Sequence, residues 1–219
     1  NTTEYAAIPA NGKRGEDYTG IYNSVYTPAG GRNLLEPAIQ VTHADGNPSL
    51  DLKYIRHETQ SIADGVVLTK VYLKDPQYPF EVTLYYKAYQ KEDVIEQWSS
   101  IRHTEKTSVV LHKYASSNLY IPAQNYYLTH FHGDWANEMN PSKVLLTEGI
   151  KVLDSKLGTR ADLFQPPSFL VSLNQPAEED QGEVIAGTLA WSGNYQLAFE
   201  VDPLHNLRVI PGINPYASA

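Results

Sequence analysis

The sequence of 219 residues contains no cysteine, one methionine and three tryptophans. Without cysteine the chain cannot form a disulfide framework, and it supplies neither a thiolate nucleophile nor a cysteine ligand for zinc. Basic residues are also few: 17 lysines and arginines stand against 25 aspartates and glutamates, which gives a formal net charge of -8. Because phosphate backbones are bound by clustered basic side chains, this balance argues against a nucleic-acid partner.

Long apolar runs are missing as well. No stretch approaches the roughly 18 apolar residues that a membrane-spanning helix needs, so no membrane partner is expected. The chain begins at Asn1 without a methionine and without the charged and apolar regions of a signal peptide. These features predict a processed or excised piece of a protein, and they slightly favour a periplasmic or exported location over a cytoplasmic one.

Familiar catalytic and nucleotide-binding motifs are absent from the sequence. It contains no Gly-x-Gly-x-x-Gly motif, no phosphate-binding loop of the Walker type and no Gly-x-Ser-x-Gly motif. We therefore expect no cofactor.

The residues that are abundant indicate strands and turns. The chain has 16 tyrosines, 14 glycines and 14 prolines. Tyrosine favours strands, whereas glycine and proline favour turns. No window of about a dozen residues keeps an apolar stripe at helical spacing. The sequence thus predicts an all-β fold, and its length predicts a large antiparallel β-sandwich that residues 1–219 form as a single domain.

The clearest strand pattern lies at Phe80–Ala88, where apolar and polar side chains alternate. Val67–Lys74 precedes it, and a connection with two prolines at 75–79 makes the two segments an antiparallel hairpin. Ser192–Asn194 is predicted to form a second hairpin loop. Further strands are predicted at 93–102, 108–114, 126–131, 143–146, 149–155, 168–173, 184–191, 195–202 and 207–210.

The sharpest local cluster of candidate metal ligands is His130, His132 and Asp134. Spacing of two residues places these side chains on one side of a strand, where two imidazoles and a carboxylate are ligands that zinc accepts. The ligand set is incomplete, however, and the same residues suit hydrogen bonding at a strand end before a turn. We therefore expect no metal site.

A second cluster surrounds Trp135, which stands between Asp134 and Glu138. A carboxylate beside an aromatic ring can hold a sugar, because the ring stacks on it while the carboxylate accepts hydroxyl hydrogen bonds. In the alternative interpretation Trp135 packs in the core and Glu138 lies on the surface.

These residues also carry a resemblance. Gly133–Glu138 resembles the Gly-x-Trp-Ala-x-Glu motif in the N-terminal domain of the glycoside hydrolase family 36 α-galactosidases. Other segments resemble further parts of that domain in the same order along the chain. They are Glu36–Ile39, Leu52–Tyr54, Leu146–Gly149, Leu153–Gly158, Gln165–Phe169, Glu183–Asn194 and Leu207–Asn214. The resemblance covers roughly residues 30–216.

The resemblance implies a β-supersandwich packed on a (β/α)₈ barrel. In that family two aspartates of the barrel, a nucleophile and an acid/base, remove terminal α-galactose with retention. No part of this sequence corresponds to the barrel, so the resemblance implies a non-catalytic N-terminal domain with no catalytic residue of its own. The implied partners are the barrel, α-galactoside oligosaccharides through the parent enzyme, and further copies in a homo-oligomer.

The resemblance also assigns roles to single residues. Asp134, Glu138, Arg208 and Asn214 are expected to hold the domain interface or the fold. Some tetrameric members place an early loop, with an aspartate and an arginine, at a neighbouring subunit's active site. Asn33 and Leu35 stand near those positions here. The substrate-binding candidates are therefore Asn33 and Trp135. Residues 1–19 lack the first strand that the family leads us to expect.

Two other functions are compatible with the sequence. The tyrosine excess and Trp135 suit a stand-alone carbohydrate-binding module. An aldose mutarotase-like enzyme would instead use His130, His132 and Glu138 as acid and base. Fold analogy is the only support for that activity.

Overall fold

The structure is a computed structural model that describes residues 24–31, 33–160 and 163–214, apart from the side chain of Thr159. The described residues form strands, turns and loops with a single 3-10 turn, which confirms the prediction of an all-β fold. No helix within the described ranges is long and apolar enough to cross a membrane. The prediction for residues 1–19 lies outside the described residues.

The described residues form fourteen strands and one 3-10 turn at Gly158–Arg160. The strands are β1 (Ile39–Thr42), β2 (Lys53–Ala63), β3 (Val66–Lys74), β4 (Phe80–Tyr89), β5 (Val94–His103), β6 (Val110–Tyr114), β7 (Leu119–Pro122), β8 (Tyr126–Asp134), β9 (Asn137–Leu146), β10 (Gly149–Ser155), β11 (Ser168–Leu173), β12 (Glu183–Thr188), β13 (Tyr195–Val201) and β14 (Asn206–Ile213).

The chain divides into two compact units between Asn118 and Leu119. The first unit contains β1 to β6, and the second contains β7 to β14. That residues 1–219 form a single domain stays a prediction.

The first unit contains a four-stranded antiparallel sheet in the order β2-β3-β4-β5, beside the two-stranded pair β1-β6. β3 and β4 form the predicted hairpin, in unbroken register from Val66 opposite Tyr89 to Lys74 opposite Glu81. The alternation of β4 buries Phe80, Val82 and Leu84 on one face. That face contributes to the unit's core, and the other face is more exposed.

The second unit is an antiparallel sandwich of two four-stranded sheets, in the orders β10-β13-β14-β7 and β12-β11-β8-β9. Its core is one cluster that takes buried side chains from both sheets. Phe169 and Phe199, one from each sheet, meet edge to face with ring centroids 5.0 Å apart. Such contacts across about 10 Å between sheets are typical of sandwiches, as the sequence predicts.

Three strands and one loop differ from the sequence-based expectation. β1 and β7 have four residues each, too few to show alternation, and the eleven residues of β2 are mostly polar and exposed. The prediction of a hairpin loop at Ser192–Asn194 is wrong. β12 pairs with β11, whereas β13 pairs with β10 and β14, so this loop crosses from one sheet to the other.

Candidate functional site

One end of the second unit collects three loops and a strand terminus. The loops are the β8–β9 hairpin tip, the described residues of the β10–β11 connection (156–160 and 163–167) and residues 189–194. Strand register places them together, because Ser168 lies opposite Thr188 in one sheet and Tyr195 lies opposite both Ser155 and Ile213 in the other. Hydrogen bonds also connect the loops: the Gly133 amide donates to the Phe164 carbonyl (3.0 Å), and the Gly158 amide donates to Asn194 Oδ1 (2.6 Å). We call this region the Trp135 end.

Large apolar side chains are exposed at the Trp135 end. Trp135 occupies the hairpin tip with 87% of its surface exposed. Leu157, Phe164 and Trp191, on the other two loops, are exposed by between 44% and 50%. The interpretation that Trp135 packs in the core is therefore wrong. Single exposed apolar residues are common, but several on adjoining loops are typical of interaction sites.

The hairpin holds Trp135 in place through two carboxylates. Asp134 Oδ1 accepts a hydrogen bond from the Trp135 amide (2.7 Å), and Glu138 Oε1 accepts one from the Ala136 amide (3.0 Å). Ala136 has a φ of 62°, in the left-handed region that costs a residue with a side chain about 1 kcal/mol or more. The two carboxylates therefore fix the backbone of the strained tip that carries the exposed indole ring.

Gly133 makes the hairpin geometry sterically possible, so its replacement tests it. A Cβ atom at Gly133 would lie 2.2 Å from the Asn137 carbonyl oxygen and 2.8 Å from Glu138 Cα. We expect Gly133→Ala to lower the free energy of unfolding by about 1–3 kcal/mol in urea titrations. The matched control is Gly31→Ala, where the nearest neighbours of a Cβ lie at 3.9 Å. Equal stability of the two variants would contradict the close approach.

Each of the two histidines of β8 makes a hydrogen-bond contact with a nearby side chain. His130 is half-buried, and its Nδ1 accepts a hydrogen bond from Gln165 Nε2 (3.3 Å). Burial lowers the pKa of His130, and the charges of Lys151 and His132 lower it further. His132 Nδ1 lies 3.3 Å from Ser142 Oγ. His130 is thus present near the hairpin as a neutral hydrogen-bonding group near neutral pH.

The register of the β8–β9 pair shifts between His132 and Asp134, where one residue of β8 faces two residues of β9 between Asn137 and Asn140. That Asp134 shares one side of the strand with His130 and His132 stays a prediction. Within the described ranges, no group of three or more histidine, aspartate or glutamate side chains is placed to hold a metal ion.

Arg208 and Asn214 are buried on β14 and just beyond it, with 1% of each exposed. Arg208 Nη1 donates to Glu200 Oε2 (2.9 Å) on β13, directly opposite in register. Asn214 Nδ2 donates to Asp154 Oδ2 (3.1 Å) and to the Ser155 carbonyl (3.3 Å), at the Trp135 end. Both side chains therefore hydrogen-bond neighbouring strands of the same sheet and stabilise the fold. An interface role for them stays a prediction.

Asn33 lies in the first unit, whereas Trp135 lies in the second. Asn33 Oδ1 accepts a hydrogen bond from the Leu35 amide (3.1 Å), which is a local turn contact. The next residue, Leu34, is largely exposed. A substrate contact by Asn33 stays a prediction.

Sequence reasoning missed Leu157, Phe164 and Trp191 as site residues. Each is a large apolar residue in a segment that also contains glycine, proline or serine. An apolar residue in such a turn-forming segment is the pattern that could have identified them, because a loop offers little core in which to bury it.

Comparisons with known proteins agree on one family. The model of the glycosyl hydrolase family 36 N-terminal domain matches residues 4–219. Alpha-galactosidase AgaA of Geobacillus stearothermophilus is 29% identical over 87% of this chain, and α-galactosidase Mel36A of Lactobacillus acidophilus is 27% identical over 87%. The chain spans 28% of the length of each of these relatives.

Solved structures give the same result. The crystal structure of the α-galactosidase AgaB from Geobacillus stearothermophilus superposes with a TM-score of 0.81 at 28% identity, over 88% of this chain and 28% of that one. A variant of AgaA in complex with raffinose superposes with a TM-score of 0.84 at 26% identity, over 97% of this chain and 31% of that one.

Proposed function

Because the chain belongs to the N-terminal domain family of glycosyl hydrolase family 36, we propose that its Trp135 end supports the catalytic domain of a larger α-galactosidase. The observation that carries this proposal is the Trp135 ring, 87% exposed on a hairpin tip that two carboxylates fix. An indole ring held in solvent is stabilised when a partner covers it.

The length of the relatives supports a catalytic partner outside this chain. The chain spans 28% of α-galactosidases AgaA and Mel36A, so most of each relative lies beyond the matched region. We propose that the hydrolysis of terminal α-galactosides belongs to the corresponding remainder of the full-length protein. AgaA variants have been solved with stachyose and with raffinose, which supports oligosaccharides of this class as substrates of the whole protein.

The chemistry of the site suits a protein surface. Fully covered tryptophans are frequent hot spots at interfaces, where truncation to alanine costs about 2 kcal/mol or more. Leu157, Phe164 and Trp191 surround the same end with apolar area that a partner would also cover. Asp134 and Glu138 act here as positioning residues, since their oxygens fix the backbone that carries the ring.

The proposal is tested by reassembling the protein from two pieces. The 219-residue chain is mixed with the separately produced remainder of the full-length polypeptide, and the dissociation constant is measured by calorimetry. We expect Trp135→Ala to raise this constant by about 30-fold, which corresponds to about 2 kcal/mol. The matched control is Leu204→Ala. Leu204 is 60% exposed on the β13–β14 turn, at the opposite end of the same sandwich.

The activity assay gives a second readout. We expect the 219-residue chain alone to hydrolyse no chromogenic α-galactoside, and the mixture with the remainder to hydrolyse it. Equal effects of Trp135→Ala and Leu204→Ala on association would overturn the role of the Trp135 end. Heat on adding galactose, melibiose or raffinose to the chain alone, abolished by Trp135→Ala, would assign the ring to sugar binding instead.

A further inference from the structure

The four-stranded sheet of the first unit has a polar, aromatic face opposite its buried one. The alternation of β4 buries Phe80 and Val82, so the odd-numbered residues of this strand lie on the other face. Residues directly opposite each other on paired strands share a face, which extends this set across all four strands. Three adjoining rows are Lys53-Lys74-Glu81-Arg102, Arg56-Tyr72-Thr83-Ser100 and Glu58-Lys70-Tyr85-Trp98. We call this surface the Tyr72 face.

A cavity of about 340 Å³ opens on the Tyr72 face. It lies where the register of β2 shifts between Tyr54 and Arg56, and the extra residue, Ile55, is part of its wall. Its volume is at the lower end of the range of small-molecule sites, about 300–1,000 Å³. Its polar lining comes from Arg56, Tyr72, Lys74, Glu81 and Thr83.

Two of the lining side chains are held in place by a third residue, Glu58. Arg56 forms an ion pair with Glu58 Oε1, and the Tyr72 hydroxyl donates to Glu58 Oε2 (2.9 Å). The guanidinium carbon of Arg56 also lies 3.8 Å from the centroid of the Tyr72 ring. Because these contacts connect all three side chains, the ring and the guanidinium are positioned before a ligand binds.

Hydrogen-bond donors and acceptors lie side by side in the cavity. Lys74 Nζ lies 3.3 Å from Glu81 Oε1, which leaves Glu81 Oε2 to accept from a ligand. The side chains of Arg56, Lys74 and Glu81 are each about half exposed, so a ligand can reach them. A sugar hydroxyl both donates and accepts, and a cation next to a carboxylate provides a charged partner for each role.

The charges at the cavity favour a neutral ligand. Arg56 is paired with Glu58, and Lys74 is paired with Glu81, so the two ion pairs carry no net charge. A phosphate or sulfate group would lie close to both carboxylates, which repel it. A neutral compound with many hydroxyl groups meets no such repulsion and can use both signs of charge.

The Tyr72 face continues beyond the cavity with two stacked aromatic rings. Tyr85 lies two residues from Thr83 along β4, a distance of about 7 Å. Trp98 stacks on Tyr85 with ring centroids 4.8 Å apart and an interplanar angle of 4°. The aromatic side chains therefore run diagonally across three strands, over a length that exceeds one sugar ring.

We propose that the Tyr72 face binds a neutral oligosaccharide, with one pyranose ring in the cavity and the next ring towards Tyr85 and Trp98. The C–H groups of the first ring pack on Tyr72, and its hydroxyls exchange hydrogen bonds with Arg56 and Glu81. This site lies in the first unit. The inference goes beyond the proposed function and does not depend on the role of the Trp135 end.

An NMR titration of the isotope-labelled 219-residue chain tests the proposal. The probes are two neutral trisaccharides, raffinose and maltotriose, and inorganic phosphate at the same concentrations. We expect at least one trisaccharide to shift the backbone resonances of residues 54–57, 71–74 and 80–84, with a dissociation constant of about 1 mM. We expect phosphate to leave these resonances in place.

Two variants of the lining test the roles of the ring and the carboxylate. We expect Tyr72→Leu to raise the dissociation constant about tenfold, and Glu81→Gln, which keeps the side-chain size, to raise it about fivefold. The matched controls leave the constant unchanged. They are Tyr54→Leu, because Tyr54 lies opposite the buried Leu73 on the other face of the sheet, and Glu183→Gln, at an exposed carboxyl of the second unit.

The outcomes separate this site from its alternatives. Trp135→Ala is expected to leave the binding unchanged, and loss of binding in that variant would place the sugar at the Trp135 end and overturn the proposal. Resonances that neither trisaccharide shifts up to about 20 mM would also overturn it. Binding of phosphate in place of the sugars would assign the cavity to anions, and equal losses in Tyr72→Leu and Tyr54→Leu would exclude the Tyr72 face.

Discussion

Arg208→Met is expected to lower the free energy of unfolding by about 3–5 kcal/mol. The Arg208 side chain is 1% exposed, and its guanidinium bonds Glu200 Oε2 at 2.9 Å across the β13–β14 pair. Methionine fills much of the volume but leaves the Glu200 carboxylate without this cation in a poorly solvated position. Removing the cation from a buried ion pair costs more free energy than the intact pair contributes to stability. The expected loss is therefore large.

Urea unfolding of a double-mutant cycle separates the charge from the packing. Removing both partners, in Arg208→Met/Glu200→Met, also takes away the carboxylate that Arg208 bonds, so we expect stability to recover to within about 1–2 kcal/mol of the unmodified chain. A double variant that is less stable than Arg208→Met alone would show that Arg208 acts through packing and not through its charge.

Glu105→Gln is expected to destabilise the first unit by about 3 kcal/mol near neutral pH. Glu105 and His43 have almost completely buried side chains, and His43 Nδ1 lies 2.8 Å from Glu105 Oε1. His43 Nε2 lies 3.1 Å from the Ser49 carbonyl. Glu105 Oε2 accepts a hydrogen bond from the Ala44 amide (2.8 Å), so both carboxylate oxygens have buried partners. An amide in place of the carboxylate removes the charged acceptor from both contacts.

The same carboxyl gives the stability a pH dependence of known sign. Burial raises the pKa of Glu105, but the Ala44 amide and the His43 imidazole outweigh it, and the pKa lies below its usual value. A folded-state pKa below the unfolded one stabilises the fold above the unfolded pKa, and this stabilisation is lost as pH falls through the folded pKa.

Unfolding titrations at about pH 6 and about pH 3.5 measure this dependence. We expect the unmodified chain to lose more stability between these values than Glu105→Gln does. Glu92→Gln is a control at an exposed carboxyl, where little of the difference should change. Identical pH profiles for the unmodified chain and Glu105→Gln would contradict the ionic contact.

The sequence predicted the fold where side-chain alternation is strong. Phe80, Val82 and Leu84 alternate with polar residues because one face of β4 is buried. A strand with one buried face shows this alternation in its sequence. β2 has no deeply buried face, so its sequence carries no such pattern although it pairs with β3 along its length.

The candidate site was predictable in its residues but not in its geometry. Trp135 between Asp134 and Glu138 is visible in the sequence, yet the same letters suit a buried ring as well as an exposed one. Burial depends on the position of the hairpin tip, which is set by the register shift in the backbone pairing of β8 and β9. Leu157, Phe164 and Trp191 join Trp135 only through contacts between distant loops, which local patterns do not encode.

The strand order also decides when each unit can fold during synthesis. In the first unit β2, β3, β4 and β5 pair with their neighbours in sequence, so this sheet can assemble as soon as those residues leave the ribosome. In the second unit the last strand, β14, lies between β13 and β7, and β7 has no other partner among the described strands. That sheet is therefore complete only after Ile213 has been synthesised. Until then the apolar inner faces of β8, β10 and β11 are not fully buried.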